Sequence, residues 1–220
     1  MGFATLGIFA LNQAGVEGAM MQMINHGVTT GALFVSVGII YERLHTREMG
    51  AAAGLGKVMP VFAGFLGVFS LSSLAFPGTN SFIGEFLVLK SAFQLSPWLG
   101  VAVVPGAVLA AAYMLRLLQK VAYGTPQNPD HSAVKDLEWR EVLTLAPLLV
   151  FVFWIGLHPQ PFLRVMHASV ERVLAQAHAA ALREDDRAAV VRARAGMVAR
   201  ELHDAPGVAE RPIPLEAREG

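Results

Sequence analysis

The chain has 220 residues, 54% of them hydrophobic and 15% charged, with a formal net charge of zero and no cysteine. A soluble domain carries charge on about a quarter of its residues, so this composition, with a mean hydropathy of +0.49, points to lipid rather than water as the main solvent. Lack of cysteine excludes disulfides, iron–sulfur clusters and cysteine-held zinc, and no basic tract suggests nucleic acid.

Taken in chain order, residues 1–11 read as the end of an apolar helix. They lack the basic start and small-residue cleavage pattern of a signal peptide. Residues 18–41 are long enough for a transmembrane helix, which needs about 20 mainly apolar residues. Residues 60–76 and 81–95 are each too short to span comfortably, and together they predict one helix broken at 77–80. Residues 97–118 and 142–157 predict two further spans, the second ended by the turn His158-Pro159-Gln160-Pro161. Pro105 and Pro147 are compatible with helices in lipid, where neighbours re-satisfy the freed backbone groups. The expected fold class is all-α: a polytopic transmembrane helix bundle with one discontinuous helix, over residues 1–163. Residues 164–220 form a polar extramembrane tail, helical at first and disordered through "APGVAERPIPLEAREG".

Charge sets the orientation. Arg43, Arg47 and Lys57 follow the 18–41 span, and Arg116, at the end of the 97–118 span, is followed by Lys120, Lys135 and Arg140 before the last span. The stretches 12–16 and 94–97 carry neither Lys nor Arg. Short cytoplasmic loops hold the excess of Lys and Arg, so the two charged loops are predicted cytoplasmic and the tail external.

Polar residues in apolar segments are where function is sought. The 18–41 helix contains Gln22, Asn25, His26, Thr29, Thr30 and Ser36; steps of three and four link Gln22, Asn25 or His26, Thr29, Leu33 and Ser36 into a one-sided stripe. Such a stripe faces protein or a water-filled cavity. For Gln22, Thr29 and Thr30 the plainer reading is interhelical packing and hydrogen bonding. His26 is either a proton relay, since its two nitrogens can accept and release protons near neutral pH, or a satisfied structural histidine.

Glu85 is the sharper signal. A carboxylate in the middle of a span costs about 2.5–3.5 kcal/mol on insertion scales, and its stem is too short to reach the interface. It must be neutral, paired or beside water. Ser81 lies one turn earlier on the same face, and Pro77-Gly78 interrupts the helix just before it. Irregular backbone at membrane depth is tolerated only inside protein or at a cavity, and broken helices with an ionisable group mark transport sites. A structural ion pair is the alternative. Lys90 lies about 140° around the helix from Glu85 and is read as snorkelling toward the helix end. The run "YERLHTRE" reads as an interface anchor. No Walker A, GxGxxG, HExxH or GxSxG motif is present.

Three stretches in order, "GAMMQMINHGVTTGALFVSVGIIYERLHTREM", "LAFPGTNSFIGEFLVL" and "HPQPFL", resemble the antiporter-like membrane subunits of proton-pumping NADH-quinone oxidoreductase (respiratory complex I), in particular subunit M and its mitochondrial counterpart, chain 4. The resemblance covers residues 1–163 and corresponds to the C-terminal portion of that subunit. In the family, a first half-channel with an acid and a lysine precedes this portion, so an isolated chain of this length would lack a complete proton path. The resemblance implies two inverted five-helix repeats and a second half-channel. In it Glu85 and His26 are the proton-transfer residues; the sequence itself offers Gln22, Asn25, Thr29, Thr30, Pro77, Gly78, Ser81 and Lys90 as supporting residues around them. The resemblance implies no redox cofactor and no metal in this chain, with NAD, flavin, iron–sulfur clusters and quinone in partner subunits. The partners implied are antiporter-like neighbours and the lateral-helix subunit, and the location a bacterial inner membrane. A cation/proton antiporter or membrane-bound hydrogenase subunit of the same superfamily, or an inactive fragment, are the competing readings.

Overall fold

A computed structural model describes residues 1–125 and 134–204, the side chains of 198–204 excepted. All the described regular elements are helical. They are α1 (Gly2–Phe9), α2 (Gln13–Leu44), a single 3-10 turn (Leu55–Lys57), α3 (Pro60–Ser73), α4 (Asn80–Leu95), α5 (Pro97–Tyr123), α6 (Trp139–Leu157) and α7 (Gln160–Asp204). Three of these, α2, α5 and α6, are long and apolar enough to cross a membrane by length and composition.

Local chemistry sets the helix ends. The Asn12 side chain accepts from the Gly15 amide at 2.8 Å and so caps α2. Residue His45 ends α2 in the left-handed region at φ 51°. Pro60 and Pro97 start α3 and α5, where a missing N–H costs nothing and φ is already helical. A reciprocal pair of bonds between Glu138 and Glu141 opens α6, the arrangement that satisfies two orphan amides at once.

The bundle is organised around α2. Small residues make the close approaches. A Cβ on Gly18 would come 2.7 Å from Leu87 Cβ and 2.9 Å from the Val88 amide nitrogen. On the far half of α2, Ile39, Ile40 and Ala32 enter one apolar core with Phe62, Leu66, Phe69, Leu145 and Val152. Partners along α2 run in one continuous antiparallel order. Asp136 ties the amides of Val61 and Phe62 to the Arg43 end of α2. Thr29 meets Ser72, Asn25 meets Asn80, Gln22 meets Glu85, and Asn12 meets Ser91. Thus α3 and α4 follow one another along the same helix, as two halves of a broken span do. Between them, Ala75 (φ 56°) and Gly78 (φ 93°) turn the chain through left-handed backbone. Gly156 of α6 packs directly on the backbone of Gly78 and Thr79, where any side chain would collide.

The chain divides into two compact units, 1–174 and 175–220. The sequence reading set the boundary at 163/164. Beyond that boundary Met166, Val170 and Leu174 are buried in one cluster with Met21 and Ile155. In the second unit the described residues are helical to Asp204, with Leu182, Val190 and Val191 exposed. The expected disorder of the final Pro-rich stretch lies outside the described residues.

An experiment tests the single broken span. The chain has no cysteine, so single cysteines at the exposed positions Glu48 and Gln94 report cleanly. They are expected to react with an impermeant maleimide from opposite sides of the membrane. Reaction from the same side would mean that α3 and α4 form a re-entrant hairpin instead of one span.

Candidate functional site

A row of polar side chains fills the seam where α2 meets the break. Asn80, the first residue of α4, is fully buried, as is Asn25. The Asn25 side-chain amide donates to the Asn80 carbonyl at 2.7 Å, and Asn80 Nδ2 donates back to the Asn25 carbonyl at 3.3 Å. Asn80 Oδ1 accepts from the Ser72 hydroxyl at 2.5 Å, and the hydroxyls of Thr29 and Ser72 lie 2.9 Å apart. The last turn of α3, the first of α4 and the middle of α2 are thereby held by one polar cluster. Polar pairing of this kind is how backbone freed by a helix break is accommodated away from water.

Glu85 lies just beyond, half-buried on α4. Its Oε1 accepts from Gln22 Nε2 at 3.1 Å. Among the described residues two ion pairs form, Arg43–Glu141 and His167–Glu17, and neither includes Glu85. A neutral amide, not a cation, is the side-chain partner of this carboxylate. Gln22 Oε1 and Asn25 Oδ1, one turn apart on the same face of α2, are buried without a protein partner. So is Ser70 Oγ near the end of α3.

The sequence-predicted site residues divide into two groups. Gln22 and Glu85 meet, Asn25 and Thr29 join the cluster of the break, and Ser81 is buried one turn before Glu85. Pro77 and Gly78 form the break itself. His26, half-buried, bonds to Thr30 on its own helix at 3.2 Å from Nδ1; no hydrogen bond joins it to Glu85 among the described residues. Lys90 is exposed.

Ser72 and Asn80 were not singled out from sequence. Asn80 follows Pro-Gly-Thr at the start of an apolar run, where a polar residue commonly opens a helix, and that signal was available. Ser72 has no such mark: its role comes from α3 and α4 being stacked along α2. Two further polar clusters lie away from Glu85. Gln13, Glu17 and His167 join the first turn of α2 to α7, with 2.6 Å between His167 Nδ1 and Glu17 Oε1. At the other end Arg43 grips Glu141 through both guanidinium nitrogens at 2.6 and 2.7 Å. Among the described residues no group of three or more His, Asp or Glu is placed to hold a metal ion.

A discontinuous apolar helix, with an acid just past its break and packed on a polar-striped helix, belongs to a polytopic membrane protein with an all-helical bundle. Residues 1–110 match the family described as NADH:quinone oxidoreductase/Mrp antiporter, transmembrane, and the chain belongs to it. It is 39% identical over 179 residues to NADH-quinone oxidoreductase subunit M of Rhodobacter capsulatus, covering 81% of this chain and 35% of that protein. It is 41% identical over 174 residues to subunit M of Rickettsia typhi, covering 79% of this chain and 35% of that protein. To NADH-ubiquinone oxidoreductase chain 4 of Chondrus crispus it is 40% identical, with the same coverages. Among solved structures, respiratory complex I from Thermus thermophilus with bound NADH contains a similar chain, at TM-score 0.74 and 32% identity. The match covers 79% of this chain and 36% of that one. The chain thus spans about a third of the length of the curated relatives it matches.

Proposed function

We infer that this chain supplies the second half of a proton-translocation channel in the membrane arm of a proton-pumping NADH-quinone oxidoreductase, with Glu85 as the proton-carrying group. The observation that carries the reading is the state of Glu85: a carboxylate behind a helix break in an apolar bundle, held by a neutral amide and unpaired with any cation among the described residues. An ionisable group is retained at such cost where it changes charge as part of a task. Half-exposed to the seam, Glu85 can take up and release a proton, and the polar cluster at Asn80 keeps the broken backbone satisfied while it does so. His26, one turn beyond Gln22, is the second group on this helix able to pass a proton. The chain itself carries no redox chemistry in this reading. NAD, flavin, iron–sulfur clusters and quinone belong to partner subunits, and the neighbours in the membrane are antiporter-like subunits and the lateral-helix subunit. The membrane is a bacterial inner membrane, crossed several times.

The test is NADH-driven proton uptake by membrane vesicles whose complex carries this chain, compared between wild type and Glu85→Gln. Loss of uptake together with NADH oxidation supports the assignment. Uptake driven by a sodium or potassium gradient without NADH would assign the chain to a cation/proton antiporter instead. Wild-type pumping by the variant would leave the chain a packing element.

A further inference from the structure

Gln22 has a geometry that interhelical packing alone does not explain. Its amide has two ends, and only one is used. Nε2 donates to Glu85 Oε1 at 3.1 Å, while Oε1 is buried and without a protein partner. The residue itself is 8% exposed. Its position is enforced by Gly84, the neighbour of Glu85: a Cβ there would lie 2.5 Å from Gln22 Oε1, 2.9 Å from the Gln22 amide nitrogen and 3.0 Å from its Cα. Glycine at 84 therefore lets α2 and α4 approach until Gln22 packs directly on α4 beside the carboxylate. A buried acceptor left unused is destabilising, so its retention beside a proton-carrying acid calls for a second state in which it is used.

We propose that Gln22 is the two-state partner of Glu85, donating from Nε2 to the carboxylate and accepting at Oε1 from the carboxylic acid. This rests on the reading of Glu85 as the proton carrier and deepens it. The balance is simple. When Glu85 gains a proton, its new O–H turns to Gln22 Oε1 and the Nε2 bond is released. When the proton leaves, the carboxylate again accepts from Nε2. Gln22 neither gains nor loses a proton; it holds the carboxyl in one place through both states. The exchange needs only rotation about the terminal torsion of one side chain, since amide and carboxyl ends have broad torsional wells.

The Met1 amino group, at the start of α1, acts electrostatically on Glu85; the charged side chains lie off this contact. On α2, Glu17 is tied to His167 of α7 and His26 is bonded to Thr30. Lys90 of α4 is exposed, and α1 has no charged side chain. On α5, Arg116 and Lys120 belong to the end opposite the contact of Gly100 with Phe93. On α6, Glu141 pairs with Arg43, Arg140 shares that end, and His158 follows the last turn. On α7, Arg164, Glu171 and Arg172 make no ion pair with Glu85 among the described residues.

Gln22→Met, in the intact complex in membrane vesicles, tests the proposal. Methionine keeps length and volume and supplies neither donor nor strong acceptor. Both carboxyl states lose a bond, but the one to the charged form is stronger by about twofold, so the ionised form loses more. The optimum of NADH-driven pumping is expected to move toward higher pH, and the rate at neutral pH to fall several-fold, with subunit levels unchanged. An assembled Gln22→Met complex with the wild-type rate and pH profile would overturn the proposal. If that variant does not assemble, Gln22→Asn decides, because it keeps the amide and withdraws it by one methylene: a wild-type profile, or failure to assemble here too, makes Gln22 a packing residue. Glu85→Gln measured alongside separates the two readings. If it does not pump while Gln22→Met pumps normally, only the proposal for Gln22 falls; if it pumps like wild type, the proton-carrier reading falls as well.

Discussion

Glu85→Gln in the assembled complex is expected to lower NADH-driven proton pumping by about 10²-fold or more, the scale set by removing a positioned proton-transfer group. Electron transfer should fall with it if the two are coupled. The substitution keeps the side chain's size and still offers an oxygen to Gln22 Nε2, so the contact between α2 and α4 survives. What is lost is the exchangeable proton. Glu85→Asp keeps that proton but retracts the carboxyl by one methylene from a donor now 3.1 Å away, so part of the activity should remain. Transferring the acid to the next position, Glu85→Gln with Phe86→Glu, should not restore it. That site lies about 100° around the helix, and Phe86 is 54% exposed on another face. Pumping is read as dye quenching in vesicles, with subunit content measured on the same membranes. An assembled Glu85→Gln complex that pumps at the wild-type rate would return the carboxylate to a purely structural role.

The largest effect on stability is expected at Arg43. Its guanidinium makes a bidentate pair with Glu141, and donates as well to the carbonyls of Lys135 at 2.9 Å, Asp136 at 3.2 Å and Ile39 at 3.3 Å. Asp136, held in this way, caps α3 through the amides of Val61 at 2.9 Å and Phe62 at 3.2 Å. One side chain therefore joins the end of α2, the start of α3 and the start of α6. The pair is partly buried, at 15% and 19% side-chain exposure. Exposed pairs contribute about 0–1 kcal/mol, and breaking a buried one costs about 3–5 kcal/mol. Arg43→Gln should therefore cost about 2–3 kcal/mol, between the exposed and buried cases, read as a lower melting temperature of the purified complex or as a reduced content of this chain in the membrane. Glu141→Gln should cost less, because it leaves the carbonyl bonds of Arg43 in place. Arg43→Lys should not rescue, since a single ammonium cannot make the fork and the carbonyl bonds together. If Arg43→Lys is as stable as wild type, the cluster is a loose surface pair and the joining role fails.

By itself the sequence determined the solvent, the broken span and the acid. Lipid penalises each unsatisfied polar group so heavily that apolar runs of spanning length, the Pro77-Gly78 break and a lone Glu85 stand out in one dimension. The polar stripe on α2 was legible for the same reason, through its three- and four-residue steps. Only the tertiary structure decided the partners. Gln22 and Glu85 are 63 positions apart, Arg43 and Glu141 are 98 apart, and no local pattern links such pairs. Packing of α2 against α4 assigned Gln22 to the carboxylate and left His26 bonded to its own helix. Packing of α3 and α4 in series along α2 brought Ser72 to Asn80. The start of α7, whose charge made it read as tail, is held by Met166, Val170 and Leu174 against Met21 and Ile155. An amphipathic helix in a charged stretch shows which face is apolar, but the surface that covers that face exists only once the other helices have packed.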